Sequence, residues 1–188
     1  MQRSSRIHLP LLALAMLVAG CGYNQIQTMD ERVNQAQGQI QTQLQRRADL
    51  IPNLVNTVKG VTKQEDTVFI SIANARARLG GAVQSGNVPE MAAANQALNQ
   101  GLGRLLAIAE NYPQLQSSQN FRQLQDQLEG TENRIAVARQ DYNTAVGEYN
   151  AYIRRFPYNL TAKVFGLGSP REYFEAAPGA AQAPTVSF

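Results

Sequence analysis

Val33-Asn34-Gln35-Ala36-Gln37-Gly38-Gln39-Ile40-Gln41-Thr42-Gln43-Leu44-Gln45-Arg46-Arg47-Ala48-Asp49-Leu50-Ile51-Pro52-Asn53-Leu54-Val55 is the stretch on which the fold turns. Gln35, Gln37, Gln39, Gln41, Gln43 and Gln45 alternate strictly, as the wet face of a strand would. The apolar residues follow a different period. Val33, Ala36, Ile40, Leu44, Ala48, Ile51, Val55 and Val58 recur at spacings of three and four, which is one stripe along a helix. Glutamine is a good helix former and leaves the stripe intact on both sides. The helix reading prevails.

Outward from this stretch the stripe continues through Val61, Val68, Ile72, Ala75 and Leu79, weakening at Gln64-Glu65. Pro52 lacks a backbone N–H and predicts a kink, and Gly60 is a second soft point. A continuous element from 33 to 79 would be about 70 Å long at about 1.5 Å per residue. Gly80-Gly81 is expected to stop it. Ser85-Gly86-Asn87-Val88-Pro89 reads as a loop with proline opening the next helix, from about Pro89 to Asn111. Gly101 and Gly103 inside that helix are expected to permit close approach of a neighbour. Ser117 or Ser118 caps a third element with the stripe Phe121, Leu124, Leu128, Ile135, Ala138, Tyr142, Val146, Tyr149, Ile153 and Phe156, closed by Pro157. A short helix is expected around Leu160–Phe165. The fold class is therefore all-α: an antiparallel up-and-down bundle of three long helices plus a short C-terminal one. Since the first and third helices outlast the second, their far ends need a cover, from the C-terminal segment or another molecule.

The N-terminal residues carry the targeting information. Met1–Arg6 is a positive n-region, and Ile7–Ala19 an apolar stretch too short to span a bilayer comfortably. Val18-Ala19-Gly20-Cys21 resembles the lipobox of bacterial lipoproteins, in which the cysteine is acylated and becomes the first mature residue. The expected organisation is a signal peptide at 1–20, a helical bundle at 21–175 and a disordered Ala/Pro-rich tail at 176–188. Cys21 is the expected lipidation site. Gly22 stands where lipoproteins retained at the inner membrane typically carry Asp, which favours the outer membrane of a double-membraned cell, with the body facing the periplasm.

Composition narrows the chemistry. The 188 residues hold 17 basic and 14 acidic side chains, one His, one Cys and no Trp. Without Arg3 and Arg6 the balance is 15 against 14, which leaves no electrostatic footprint for nucleic acid. His8 and Cys21 both lie in the export region, so the body has no imidazole and no thiol. His/Cys zinc sites and Ser-His or Cys-His nucleophile pairs are excluded from it. No metal, cofactor or catalytic residue is expected.

Two polar constellations stand out. Arg46, Arg47, Asp49 and Asn53 lie within two turns, Arg46–Asp49 and Asp49–Asn53 being helical neighbours. Pro52 frees the Ala48 carbonyl, which a side-chain donor or water must satisfy. These groups either repair the kink or form a docking notch. Glu132, Asn133, Arg139 and Asn143 lie on the third helix; with Arg47 and Asp49 opposite, Glu132, Arg139 and Asn143 would form a polar layer that specifies register or holds a small polar ligand. Tyr142 and Tyr149 repeat at heptad spacing and read as core rings with hydroxyls reaching the surface.

Gln43–Val55 with Val58-Lys59-Gly60 and Glu65 resembles the signature of the LemA family. So do Phe121–Gln125, Gly130–Ile135, Ala138-Arg139, Tyr142-Asn143, Tyr149-Asn150, Phe156-Pro157 and Tyr173-Phe174. The resemblance covers roughly Tyr23 to Glu175. It implies a four-helix bundle anchored to a bacterial membrane by its N-terminus, with no established activity. Many members carry His at the position of Gln64 and Trp at that of Gln37, and most anchor through a membrane-spanning helix. The resulting expectation is a non-enzymatic adaptor for another envelope protein, with self-assembly and small-ligand binding at Glu132 and Arg139 as alternatives.

Overall fold

The computed structural model describes residues 5–62 and 66–175, with side chains of the first helix described from Gly22 onward. The elements are α1 (Ser5–Lys59), α2 (Asp66–Ser85), α3 (Val88–Ala109), α4 (Pro113–Gln116), α5 (Gln119–Tyr152) and α6 (Tyr158–Val164). The fold is an all-α helix bundle, without strands among the described residues. The chain forms two compact units, one of residues up to Gln37 with Asp141–Glu172, the other of Gly38–Gln140 with the segment from Tyr173.

In the second unit the element expected to run from 33 to 79 is two helices. Helix α1 ends at Lys59, where the Thr62 backbone N–H and hydroxyl both donate to the Val58 carbonyl, at 3.0 and 3.1 Å. The Lys59 ammonium sits 5.0 Å from the centre of the Phe69 ring on α2. The apolar stripe continues across this break because both helices bury their share of it, so periodicity alone cannot show the reversal. Gly80-Gly81, expected as the stop, lies inside α2. Each glycine weakens a helix by about 1 kcal/mol, but the flanking Leu79 and Ala82 are buried and hold the turn in place. Among the described residues, the second unit therefore draws on four long helices, α1, α2, α3 and α5, rather than three.

Their packing is antiparallel between α1 and α2: Gln41 donates to the Val83 carbonyl at 3.2 Å and Arg76 to the Ala48 carbonyl at 2.8 Å. The turn into α3 is as expected, with Gly86 at φ 69 and the Asn87 side chain accepting from the Glu90 N–H. A Cβ on Gly101 would meet Ile72 Cγ1 at 2.9 Å, so this glycine does allow α2 and α3 to close up; Gly103 has nothing within 4 Å of such a Cβ and plays no such part. The core is aliphatic, with Leu44, Ile51, Leu54, Ile72, Leu98 and Leu105 fully enclosed. Leu54 rather than Val55 takes the core position.

In the first unit Ile26 and Val33 of α1, Tyr142, Val146 and Tyr149 of α5, and Ile153 just past its end are buried. A cis Phe156–Pro157 peptide bond leads into α6. Phe156, expected at the end of the stripe, is 79% exposed. Past Gly166 (φ 74) the chain runs without regular structure to Glu175. The tail at 176–188, Gln64, Glu65 and the side chain of Cys21 lie outside the described residues.

Candidate functional site

Arg47 lies on the buried stripe of α1, three residues after Leu44 and four before Ile51, and is only 6% exposed. Its Nη1 donates to Asn95 Oδ1 of α3 at 3.0 Å and forms an ion pair with Glu132 of α5. Burial pulls the guanidinium below its ordinary pKa, while the charge and hydrogen bond of Glu132 push back. Arg47 thus ties three helices at one level. Beside it is a cleft of about 290 Å³, lined among others by Leu54, Leu102, Leu106 and Leu128, with Arg47 and Glu132 on its wall. Arg47 Nε and Asn99 Oδ1 are buried without hydrogen-bond partners among the described residues.

The expected polar layer is formed in part. Arg47 and Glu132 meet, but Asp49 is exposed and accepts from Gln45 on its own helix at 2.9 Å. Arg139 lies 5.7 Å from the centre of the buried Phe174 ring, with its Nε unpartnered. Asn143 belongs to the other unit. Arg46 and Asn133 are exposed, and Asn53 lines an amide-rich cleft with Asn56, Asn120 and Gln123. The Ala48 carbonyl freed by Pro52 does find a donor, Arg76 Nε, a residue the sequence did not single out. Nor did it single out Asn95, though its place four residues after Met91 and three before Leu98, both buried, puts it on the inward face of α3.

The role of Arg76 at this carbonyl is testable. Arg76→Met is expected to destabilise the protein by about 1 kcal/mol, the net worth of one hydrogen bond, in urea unfolding followed by circular dichroism. In a Pro52→Ala background, where residue 52 supplies its own N–H, the same change should cost less. Equal costs in both backgrounds would show that Arg76 acts elsewhere.

A second cluster closes the first unit. The Arg171 backbone N–H donates to Asn150 Oδ1 at 2.8 Å, and Asn150 Nδ2 donates to the Arg171 carbonyl at 2.9 Å. Arg171 Nε and Nη2 both reach Asp30 Oδ1, at 3.0 and 2.7 Å. The Tyr142 hydroxyl donates to the Glu172 carbonyl and that of Tyr149 to the Leu167 carbonyl, at 2.8 and 2.9 Å. Burial raises both phenols above their ordinary pKa, with Arg171 pulling the other way, so they remain donors at neutral pH. The tyrosine hydroxyls hold the C-terminal segment rather than facing open solvent. That segment is the cover the long helices required in this unit.

The LemA family profile matches residues 36–188. The chain belongs to the LemA family. Among curated relatives, this LemA-family chain is 29% identical to the magnetosome proteins MamQ 1 and MamQ 2 of Paramagnetospirillum magneticum. It is 26% identical to the magnetosome protein MamQ of Magnetospirillum gryphiswaldense. Each match covers 83% of this chain and 65% of the relative, so the chain spans about two thirds of the length of the relatives it resembles. Among the described residues no helix is long and apolar enough to cross a membrane.

Proposed function

We propose that this LemA-family chain is a non-enzymatic adaptor, tethered to a bacterial membrane through an acylated Cys21 and docking an envelope protein on the outer face of α1. The observation that carries this reading is the division of the charged groups. Arg47 and Glu132, the pair best placed for chemistry, are engaged with each other and hold three helices in register. Arg46 and Asp49 of the same two turns stand exposed, with Asp49 bonded only along its own helix. The relatives' names assign them to the magnetosome and to no reaction, which suits a structural role.

Crosslinking in intact cells, detergent extraction through a C-terminal tag and mass spectrometry test the proposal. One recurrent envelope partner is expected, lost when Arg46 and Asp49 are both changed to Ala in a chain that still folds. Self-crosslinks alone would replace the adaptor with self-assembly. Cys21→Ser is expected to abolish lipid labelling and leave the precursor uncleaved; normal processing of that variant would refute the lipid tether.

A further inference from the structure

Among the described residues, the first unit exposes a group of large apolar side chains. Of the exposed large apolar side chains, Phe156, Leu160, Val164 and Phe165 fall within ten residues on and beside α6, with Phe156 and Val164 both 79% exposed. Arg154, Arg155 and Lys163, also exposed, stand among them, and no Asp or Glu occurs from Tyr149 to Arg171. Such a segment, apolar and basic by turns, has the composition of helices that lie in a membrane interface.

Its position in the unit agrees. The Tyr23 and Phe165 rings lie 4.6 Å apart, centre to centre, and a Cβ on Gly22 would come within 2.7 Å of Tyr158 Cδ1. The α6 segment is therefore packed against the two residues that directly follow Cys21. Consecutive Cα atoms are about 3.8 Å apart, so an anchor at Cys21 brings the bilayer surface within reach of α6. The close approach to Tyr158 also supplies a packing reason for glycine at position 22, independent of membrane sorting.

We infer that α6 and its flanks form a membrane-contact face, with Phe156, Leu160, Val164 and Phe165 entering the interface and Arg154, Arg155 and Lys163 meeting anionic lipid headgroups. The inference rests on the tether proposed above. A second copy of the chain fits this surface poorly, since a symmetric contact would set its cations against the same cations. Anionic lipid complements them.

The chain has no tryptophan, so one introduced indole reports alone. Val164→Trp and, as a control, Val137→Trp are made in the full chain, both replacing exposed valines. The proteins are purified from membranes and reconstituted in vesicles of phosphatidylethanolamine and phosphatidylglycerol carrying a nitroxide lipid labelled near the headgroup. The indole at 164 is expected to shift to the blue and be quenched, that at 137 to do neither. Changing Arg154, Arg155 and Lys163 to Gln should reduce the quenching at 164. Leu160→Trp repeats the test should the first variant fold poorly. Flotation with the vesicles and no quenching at 160 or 164 would overturn the membrane face and leave the tether standing. A blue shift without quenching would overturn it too, by showing a protein cover. A chain that does not float would overturn both.

Discussion

Asn150→Ala is expected to destabilise the unit containing α6 by about 2–4 kcal/mol, because it removes two hydrogen bonds from a site where the lost partners are worth about 1–3 kcal/mol each. Asn150 is 5% exposed and bonds both the N–H and the carbonyl of Arg171. No other residue type offers a donor and an acceptor at that length and spacing in the same orientation. Its loss also releases Arg171 from the place where its guanidinium meets Asp30. Urea unfolding should show the loss, and trypsin should cut after Arg171 faster than in the parent. Unchanged stability together with an unchanged cleavage rate would mean that Tyr142 and Tyr149 hold the C-terminal segment unaided.

Glu132→Ala is expected to cost about 2–3 kcal/mol, since it leaves the Arg47 guanidinium enclosed with Asn95 as its one described partner. The Glu132 side chain is 42% exposed, and water reaching the site keeps the loss below that of a wholly buried pair. Arg47→Met should cost less, within about 1 kcal/mol of the parent, because it removes the buried charge and puts an apolar chain of similar length beside Leu54 and Leu128. The order of the two variants is the decisive result in thermal or urea unfolding. Arg47→Met as the more damaging change would mean that the ion pair contributes net stability. The expected order would instead mark it as a device for register in a helix bundle whose stripes are mostly apolar.

The reading of the chain as helical, its stripes and the serine before α5, whose Ser118 hydroxyl accepts from the Phe121 N–H, were legible because they are local. Spacings of three and four residues, a proline and a side-chain oxygen beside a helix start act within one or two turns. The demand created by Pro52 was legible too, as a carbonyl in need of a donor. Its answer was not, for Arg76 lies 28 residues away and nothing in its own surroundings points to Ala48. The same holds for Glu132 as partner of Arg47, 85 residues apart, while Asp49 and Arg139 suited the layer equally well by spacing.

What the sequence determined by itself is the helical class, the apolar stripes and the absence of imidazole and thiol from the body, each a property of residue type or short-range period. Only the tertiary structure decided that the chain turns back after Lys59, that Gly80-Gly81 remains helical, and that Phe156 faces outward. A helix stripe has the same period before and after a reversal, and a glycine pair breaks a helix only when burial on either side does not outweigh its propensity. Those outcomes depend on which faces meet, and that is set by the whole chain at once.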